Sequence, residues 1–196
     1  MLEARNIVFS YDREQVILND VSISIAPGEI VALHAPSGVG KTTLCYILAD
    51  LLHAQSGTLT IDGKPLAKRG VCPVQIIAQH PERMLDPLVT IEKSLREVAD
   101  VPAWLMEAFG VKQEWLTRYP SELSGGEMQR ICIVRALSVN PRYLICDEIS
   151  TMLDAVTQVQ IWDALKVYAA NNGVGMLIVT HSAALRERLA TRVVEL

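Results

Sequence analysis

The nine residues Ala35-Pro36-Ser37-Gly38-Val39-Gly40-Lys41-Thr42-Thr43 stand between an apolar run, Ile30 to Leu33, and a helical pattern that begins at Leu44. A buried strand that delivers the chain through a glycine-bearing loop to a helix N-terminus confines the fold to an α/β architecture. Free backbone amides at such a junction converge on one point and hold an anion there. Gly38 and Gly40 let the main chain approach a β-phosphate, Lys41 reaches the β and γ oxygens, and Thr42 offers a hydroxyl to Mg²⁺. Ser37, Val39 and Thr43 complete the loop. A nucleoside triphosphate is the ligand this equipment fits. Ala35 occupies a position where glycine is commoner, so the loop requires that this residue not be left-handed.

Two further segments carry chemistry. Leu123-Ser124-Gly125-Gly126-Glu127-Met128-Gln129-Arg130 sets a hydroxyl and two glycines ahead of a helix. Alone it would be a turn and a helix cap; placed between a phosphate-loop lysine and an Asp-Glu pair, it is a second phosphate-holding element. Tyr143-Leu144-Ile145-Cys146 is a short buried strand that delivers Asp147 and Glu148 at its carboxyl end, where open α/β sheets do their ligand chemistry. Asp147 is placed to hold Mg²⁺ directly or through water. Glu148 is placed to accept a proton from, or to orient, an attacking water.

In this order, with Tyr11 before the loop, Gln79 after it, then Leu153-Asp154 and His181, the chain resembles an ATP-binding-cassette (ABC) ATPase subunit over nearly its whole length. The resemblance implies an α/β P-loop NTPase with an antiparallel β subdomain, a mainly parallel sheet core and a small helical subdomain. Residues 1–196 are expected to form one cassette, with the helical subdomain at about 88–122. The resemblance also implies tasks for single residues. Tyr11 stacks on adenine; Gln79 bridges Mg²⁺ or the attacking water to the helical subdomain; His181 bonds the γ-phosphate and helps to position the water. Ser124, Gly125, Gly126 and Glu127 act in trans on the triphosphate of an opposed subunit, and Asp154 lies at the shared interface. ATP and Mg²⁺ are the implied cofactors.

Composition narrows the setting. The 196 residues carry a net charge of −4, so overall balance announces no nucleic-acid partner, and none is expected. Cys45, Cys72, Cys132 and Cys146 are widely spaced, without the paired spacing of a zinc site or a disulfide framework. Reduced thiols fit a cytosolic setting. No signal peptide is expected and no apolar run long enough to span a bilayer is present, so any membrane role is expected to be peripheral.

A coarse pass predicts half-buried strands at 4–10, 21–25 and 57–61, a tight turn at Asp62-Gly63, and buried strands at 74–78 and 176–179 that lead to Gln79 and His181. Short helices are predicted over 91–99 and 103–109. From Asp154 to Tyr168 a helix is expected to bury Val156, Val159, Trp162 and Leu165 on one face and to end at Asn171-Asn172-Gly173.

Within the family, His80-Pro81-Glu82-Arg83-Met84-Leu85-Asp86-Pro87 resembles the Asp-Pro-x-x-Ser-Leu-Asn-Pro run of peptide and nickel uptake ATPases. Leu85 and Pro87 match, whereas Met84 and Asp86 replace Ser and Asn. The implied function is ATP hydrolysis that powers a membrane importer of nickel or other metal chelates, peptides or similar small solutes. Implied partners are integral membrane permease subunits, a second identical or related ATPase in a head-to-tail dimer, and an extracytoplasmic solute-binding protein. The expected place is the cytoplasmic face of the inner membrane. The segment 80–87 would shape a groove for a permease helix, with Met84 and Leu85 as its apolar lining. Two alternatives stay open: a soluble ABC-type ATPase acting on nucleic acid or the ribosome, and a regulatory cassette that binds ATP without hydrolysing it. Ile149 stands where proline is usual after the Asp-Glu pair.

Overall fold

The computed structural model describes residues 1–12, 15–67 and 69–196. Among the described residues, nine strands and six α-helices build a fold around two sheets. In chain order they are β1 (Leu2–Ser10), β2 (Val16–Ile25), β3 (Ile30–His34), α1 (Lys41–Leu48), β4 (Ser56–Ile61), β5 (Lys64–Pro65) and β6 (Val74–Ile77). After these come α2 (Ile91–Arg96), α3 (Ala103–Ala108), α4 (Gly125–Ser138), β7 (Tyr143–Asp147), α5 (Ala155–Asn172), β8 (Gly175–Val179), α6 (Ala183–Leu189) and β9 (Arg192–Glu195). One sheet is antiparallel in the order β2-β1-β4-β5; the other is parallel in the order β6-β7-β8-β3-β9.

The antiparallel sheet is longer than its sequence pattern predicts, because β1 changes phase midway. Leu2 and Ala4 point inward, and so do Ile7 and Phe9, which a strict two-residue alternation forbids. A register shift between Ala4 and Ile7 absorbs the extra residue at Asn6, whose φ is +51°. Gly57 lies opposite with φ +100°, and a β-carbon there would come within 2.6 Å of the Arg5 and Asn6 carbonyl oxygens. The Asp62-Gly63 turn joins β4 to β5 with positive φ at both residues, as a two-residue hairpin prefers.

β7 and β8 are buried throughout, which explains their unbroken apolar runs. Their alternate side chains serve two cores. Val31, Leu33, Ile145, Leu177 and Val179 meet α1 and the antiparallel sheet on one face. Ala32, Leu144, Cys146, Met176 and Ile178 meet α4, α5 and the segment between β6 and α4 on the other. That segment holds only short helices: α2, α3 and single turns at Pro81–Arg83, Gln113–Trp115 and Pro120–Glu122. α2 stops at Arg96 rather than 99, and α3 at Ala108.

α5 departs from the predicted face. Ile161, Trp162, Leu165, Tyr168 and Ala169 are buried, whereas Val156 and Val159 are 68% and 43% exposed. The first turn of α5 projects past the edge of the core, so apolar spacing there marks no buried stripe. Asp154 caps the helix by accepting from the Val156 and Thr157 amides at 3.1 and 3.0 Å, and Gly173 ends it at φ +64°. Among the described residues no helix is long and apolar enough to cross a membrane.

Candidate active site

Four chemistry-bearing loops leave the same edge of the parallel sheet. Leu33 and Asp147 both pair with Val179, and Ile77 pairs with Cys146, so the carboxyl ends of β3, β6, β7 and β8 are level. The phosphate loop follows β3, Gln79 lies two residues beyond β6, Asp147 and Glu148 close β7, and His181 lies two residues beyond β8.

In the loop, Ala35 is buried and avoids positive φ, which proline at 36 favours by steering its predecessor towards extended backbone. Gly38 and Gly40 have φ +83° and +97°. A β-carbon on Gly40 would also strike Leu18 at 2.8 Å and Ile17 at 2.9 Å. The Lys41 ammonium is 8% exposed and donates to the Ala35 and Pro36 carbonyls at 3.0 and 2.8 Å, which satisfies the buried charge. Around it lies a cleft of about 290 Å³ lined by Tyr11, Ile17, Ser37, Gly38, Thr42 and Glu148. Thr43 and Gly40 also line it, whereas Val39 does not. The Tyr11 ring is 65% exposed, stands edge-on to Phe9 at 4.9 Å, and has its hydroxyl 3.2 Å from that of Thr43.

Two carboxylates at the end of β7 sit in opposite environments. Asp147 is 2% exposed, and burial raises its carboxyl above the usual range, an effect that a hydrogen bond from the Thr42 side chain opposes. Its Oδ1 is buried and has no hydrogen-bond partner among the described residues. A buried, orphaned carboxylate oxygen beside a threonine hydroxyl is a donor set suited to a hard divalent cation. Glu148 has φ +50°, held by its own amide donating to the Val179 carbonyl at 3.0 Å and by the Thr151 hydroxyl donating to its carbonyl at 3.1 Å. The Glu148 carboxylate is bracketed: Gln79 Nε2 donates to Oε2 at 3.0 Å and His181 Nε2 lies 2.8 Å from Oε1. Gln79, Glu148 and His181 thus come together as the sequence suggests. Ile149 is 1% exposed, a core residue in the position where proline was the expectation.

The Ser124 peptide is elsewhere. Ser124 caps α4 and forms a reciprocal box with Glu127, whose Oε2 accepts from the Ser124 amide and hydroxyl at 2.8 Å each. These bonds, the amide first, hold the Glu127 carboxyl below its ordinary range. The glycines answer to a constraint absent from the motif. A β-carbon on Gly125 would meet the Met152 sulfur at 2.9 Å, and one on Gly126 would meet Leu153 at 3.2 Å. Ser124 to Glu127 and Asp154 line one shallow surface of about 750 Å³, and none of its residues lines the phosphate-loop cleft. Sequence reasoning assigned no role to Ile17, Met152, Arg130 or Thr157, all of which touch one of the two clefts. Arg130 lay in view within the octapeptide, but its partners are distant in sequence.

The ABC transporter family model matches residues 18–151, from β2 through the phosphate loop and the Ser124 peptide to the loop after Glu148. The chain belongs to the ABC transporter family. As such it is an ATP-binding subunit and an ATPase. The nickel import system ATP-binding protein NikE of Staphylococcus aureus is 32% identical over 209 residues, an alignment that covers 100% of this chain and 86% of NikE. Among solved structures, the ATP-binding subunit of an ABC transporter superposes with a TM-score of 0.85 at 27% identity over 100% of this chain and 85% of that one. A dimeric bacterial ABC transporter cassette does so with a TM-score of 0.84 at 25% identity, over 100% and 94% of the two chains.

Proposed function

We propose that the cassette works as one half of a head-to-tail ATPase pair that drives solute import through integral membrane permease subunits, with nickel or other metal chelates, peptides or similar small solutes as cargo. The observation that carries the pairing is the separation of the two half-sites: one chain presents a phosphate loop without Ser124 and a Ser124 surface without a phosphate loop. A second copy turned through a two-fold axis would lay each Ser124 peptide on the other's triphosphate. The dimeric cassette with the same fold supports this reading, and the likeness to NikE supports nickel or a related small solute. An extracytoplasmic solute-binding protein would deliver the cargo, and the subunit would sit peripherally on the cytoplasmic face.

In the closed pair, Tyr11 stacks on the base, and the amides of Ser37, Gly38, Val39 and Gly40 surround the phosphates with Lys41 on the β and γ oxygens. Thr42 and Asp147, with Gln79, would hold Mg²⁺, which would supply positive charge to the phosphoryl oxygens. Glu148 orients the attacking water and takes its proton. His181 donates to the γ-phosphate once nucleotide draws it from Glu148, and Gln79 is released in the same event. Ser124, Gly125 and Gly126 close on the γ-phosphate from the partner, with Glu127 fixing the Ser124 rotamer. Hydrolysis removes that bridge and opens the pair.

Glu148→Gln tests the assignment: with MgATP the purified variant is expected to elute as a dimer while turnover drops by about a thousandfold. Undiminished hydrolysis would sink the role of Glu148. A permease helix would enter the groove of about 200 Å³ lined by Leu51, Cys72, Met84, Val98, Cys132 and Arg135. Leu85, expected to share that lining, is instead 5% exposed in the core, so Met84 alone represents the 80–87 segment there. Met84→Asp is expected to abolish solute uptake in cells while the purified subunit retains nucleotide affinity, because a hydrated carboxylate replaces the apolar surface that a docked helix would bury and Met84 does not line the phosphate-loop cleft. Loss of nucleotide binding as well would mark a folding defect.

A further inference from the structure

Arg130 reaches three parts of the molecule from one position on α4. Its Nη1 donates to the Phe109 carbonyl, just past α3, at 2.7 Å. Its Nη2 donates to the Thr157 hydroxyl, in the first turn of α5, at 3.5 Å. Thr157 is in turn bound to Asp154, whose Oδ1 accepts the Thr157 amide at 3.0 Å. The Thr157 side chain also helps to hold the Asp154 carboxyl below its ordinary range, after the amide, which is the larger cause. Gly110 makes room for the guanidinium: it has φ +64°, and a β-carbon there would lie 2.7 Å from Nη1. Among the described residues the hydrogen bonds of Arg130 go to a carbonyl and a hydroxyl, not to a carboxylate, so they join elements instead of neutralising an acid. A planar fork with two donors can serve acceptors on separate elements at once, which a lysine ammonium on a flexible stem does poorly.

The elements joined are those that the pairing needs in register. Ser124 starts α4, Asp154 starts α5, and Met152 and Leu153 lie directly on Gly125 and Gly126. We propose that Arg130 is a positioning residue that acts through Thr157 to fix the Ser124 peptide and the Asp154 loop of one protomer at the spacing at which both meet the partner together. The inference rests on the head-to-tail reading. It extends that reading by naming what locks the two interface elements to each other and to the end of α3. Release of this tie would leave the protomer's own phosphate-loop cleft untouched, because neither Arg130 nor Thr157 lines it.

The test compares Thr157→Val, which keeps shape and the backbone cap but removes the hydroxyl, with Thr157→Ser, which restores it. Thr157→Val is expected to lower turnover about tenfold, near the effect of one lost hydrogen bond to a charged donor. Affinity of the monomer for a fluorescent ATP analogue and the melting temperature should stay level, and Thr157→Ser should recover turnover. Arg130→Lys should match Thr157→Val, and the double variant should be no worse than either single one, as members of one linkage behave. Unchanged turnover in Thr157→Val, multiplied losses in the double variant, or a parallel fall in monomer affinity would overturn the inference. Dimerisation of Glu148→Gln with MgATP, run alongside, separates the two failures. If that variant dimerises and the Thr157 series is flat, only the linkage is wrong; if it stays monomeric, the head-to-tail reading falls and takes the linkage with it.

Discussion

Glu148 combines a reactive side chain with a backbone that a β-carbon resists. At φ +50° a non-glycine residue is held in the left-handed region at a cost of about 1–2 kcal/mol. The Val179 carbonyl and the Thr151 hydroxyl maintain it there, and the turn aims the carboxylate between Gln79 and His181. Comparing Glu148→Gly with Glu148→Ala isolates this strain, since both lose the same carboxylate. Glycine is expected to give the more stable protein by about 1 kcal/mol in urea denaturation, reversing alanine's usual advantage; the opposite order would show the backbone to be relaxed. That Lys41, Thr42, Asp147 and Glu148 gather at one place was legible in the sequence, because each follows an apolar strand run at a short offset. The strain was not. Nothing in the spacing of Asp147 and Glu148 requires a left-handed turn between β7 and the next loop, and only the path of the chain towards Thr151 imposes it.

Elements with one buried face were read well where the pattern was regular and badly where the chain changes phase. The strands that lead to Gln79, Asp147 and His181 announce themselves as apolar runs because helices and sheet cover both of their faces. β1 conceals its length, since the extra residue at Asn6 breaks the alternation that would have linked Leu2 and Ala4 to Ile7 and Phe9. α5 misleads in the other direction: Val156 and Val159 have helical spacing with Trp162 but lie on a turn that overhangs the core. Gly57 tests the bulge as an element. Gly57→Ala combines a positive φ with a β-carbon 2.6 Å from two carbonyl oxygens, neither of which can move without breaking the β1–β4 pairing. A loss of about 2–4 kcal/mol is expected by chemical denaturation. Folded protein at low temperature should retain its nucleotide affinity, because none of Arg5, Asn6 and Gly57 lines the cleft. A cost under about 0.5 kcal/mol would mean that the strands slide to relieve the contact.

At the scale of the molecule, the decisive arrangement is that the Lys41 cleft and the Ser124 surface lie apart on one chain, which the head-to-tail proposal reads as two unlike half-sites. The Lys41 cleft and the Ser124 surface share no lining residue, so a defect in either should disable both composite sites of a symmetric pair, yet the two defects should complement when divided between subunits. On the proposed reading, Lys41→Ala removes the ammonium assigned to the phosphates and Ser124→Arg blocks the peptide assigned to the partner's triphosphate; each variant alone is expected to be inactive. In an equimolar mixture about half of the pairs are mixed, and each mixed pair joins the intact cleft of the Ser124→Arg chain to the intact Ser124 peptide of the Lys41→Ala chain. The remaining site of that pair holds both defects. Hydrolysis in the mixture should therefore recover to about a quarter of the native rate if random pairing leaves one working site in half of the dimers. Affinity tags of two kinds establish that mixed pairs have formed. Mixed pairs that form but hydrolyse no faster than the single variants would rule out the head-to-tail arrangement, whereas a quarter-scale recovery has no source in a site completed within one chain.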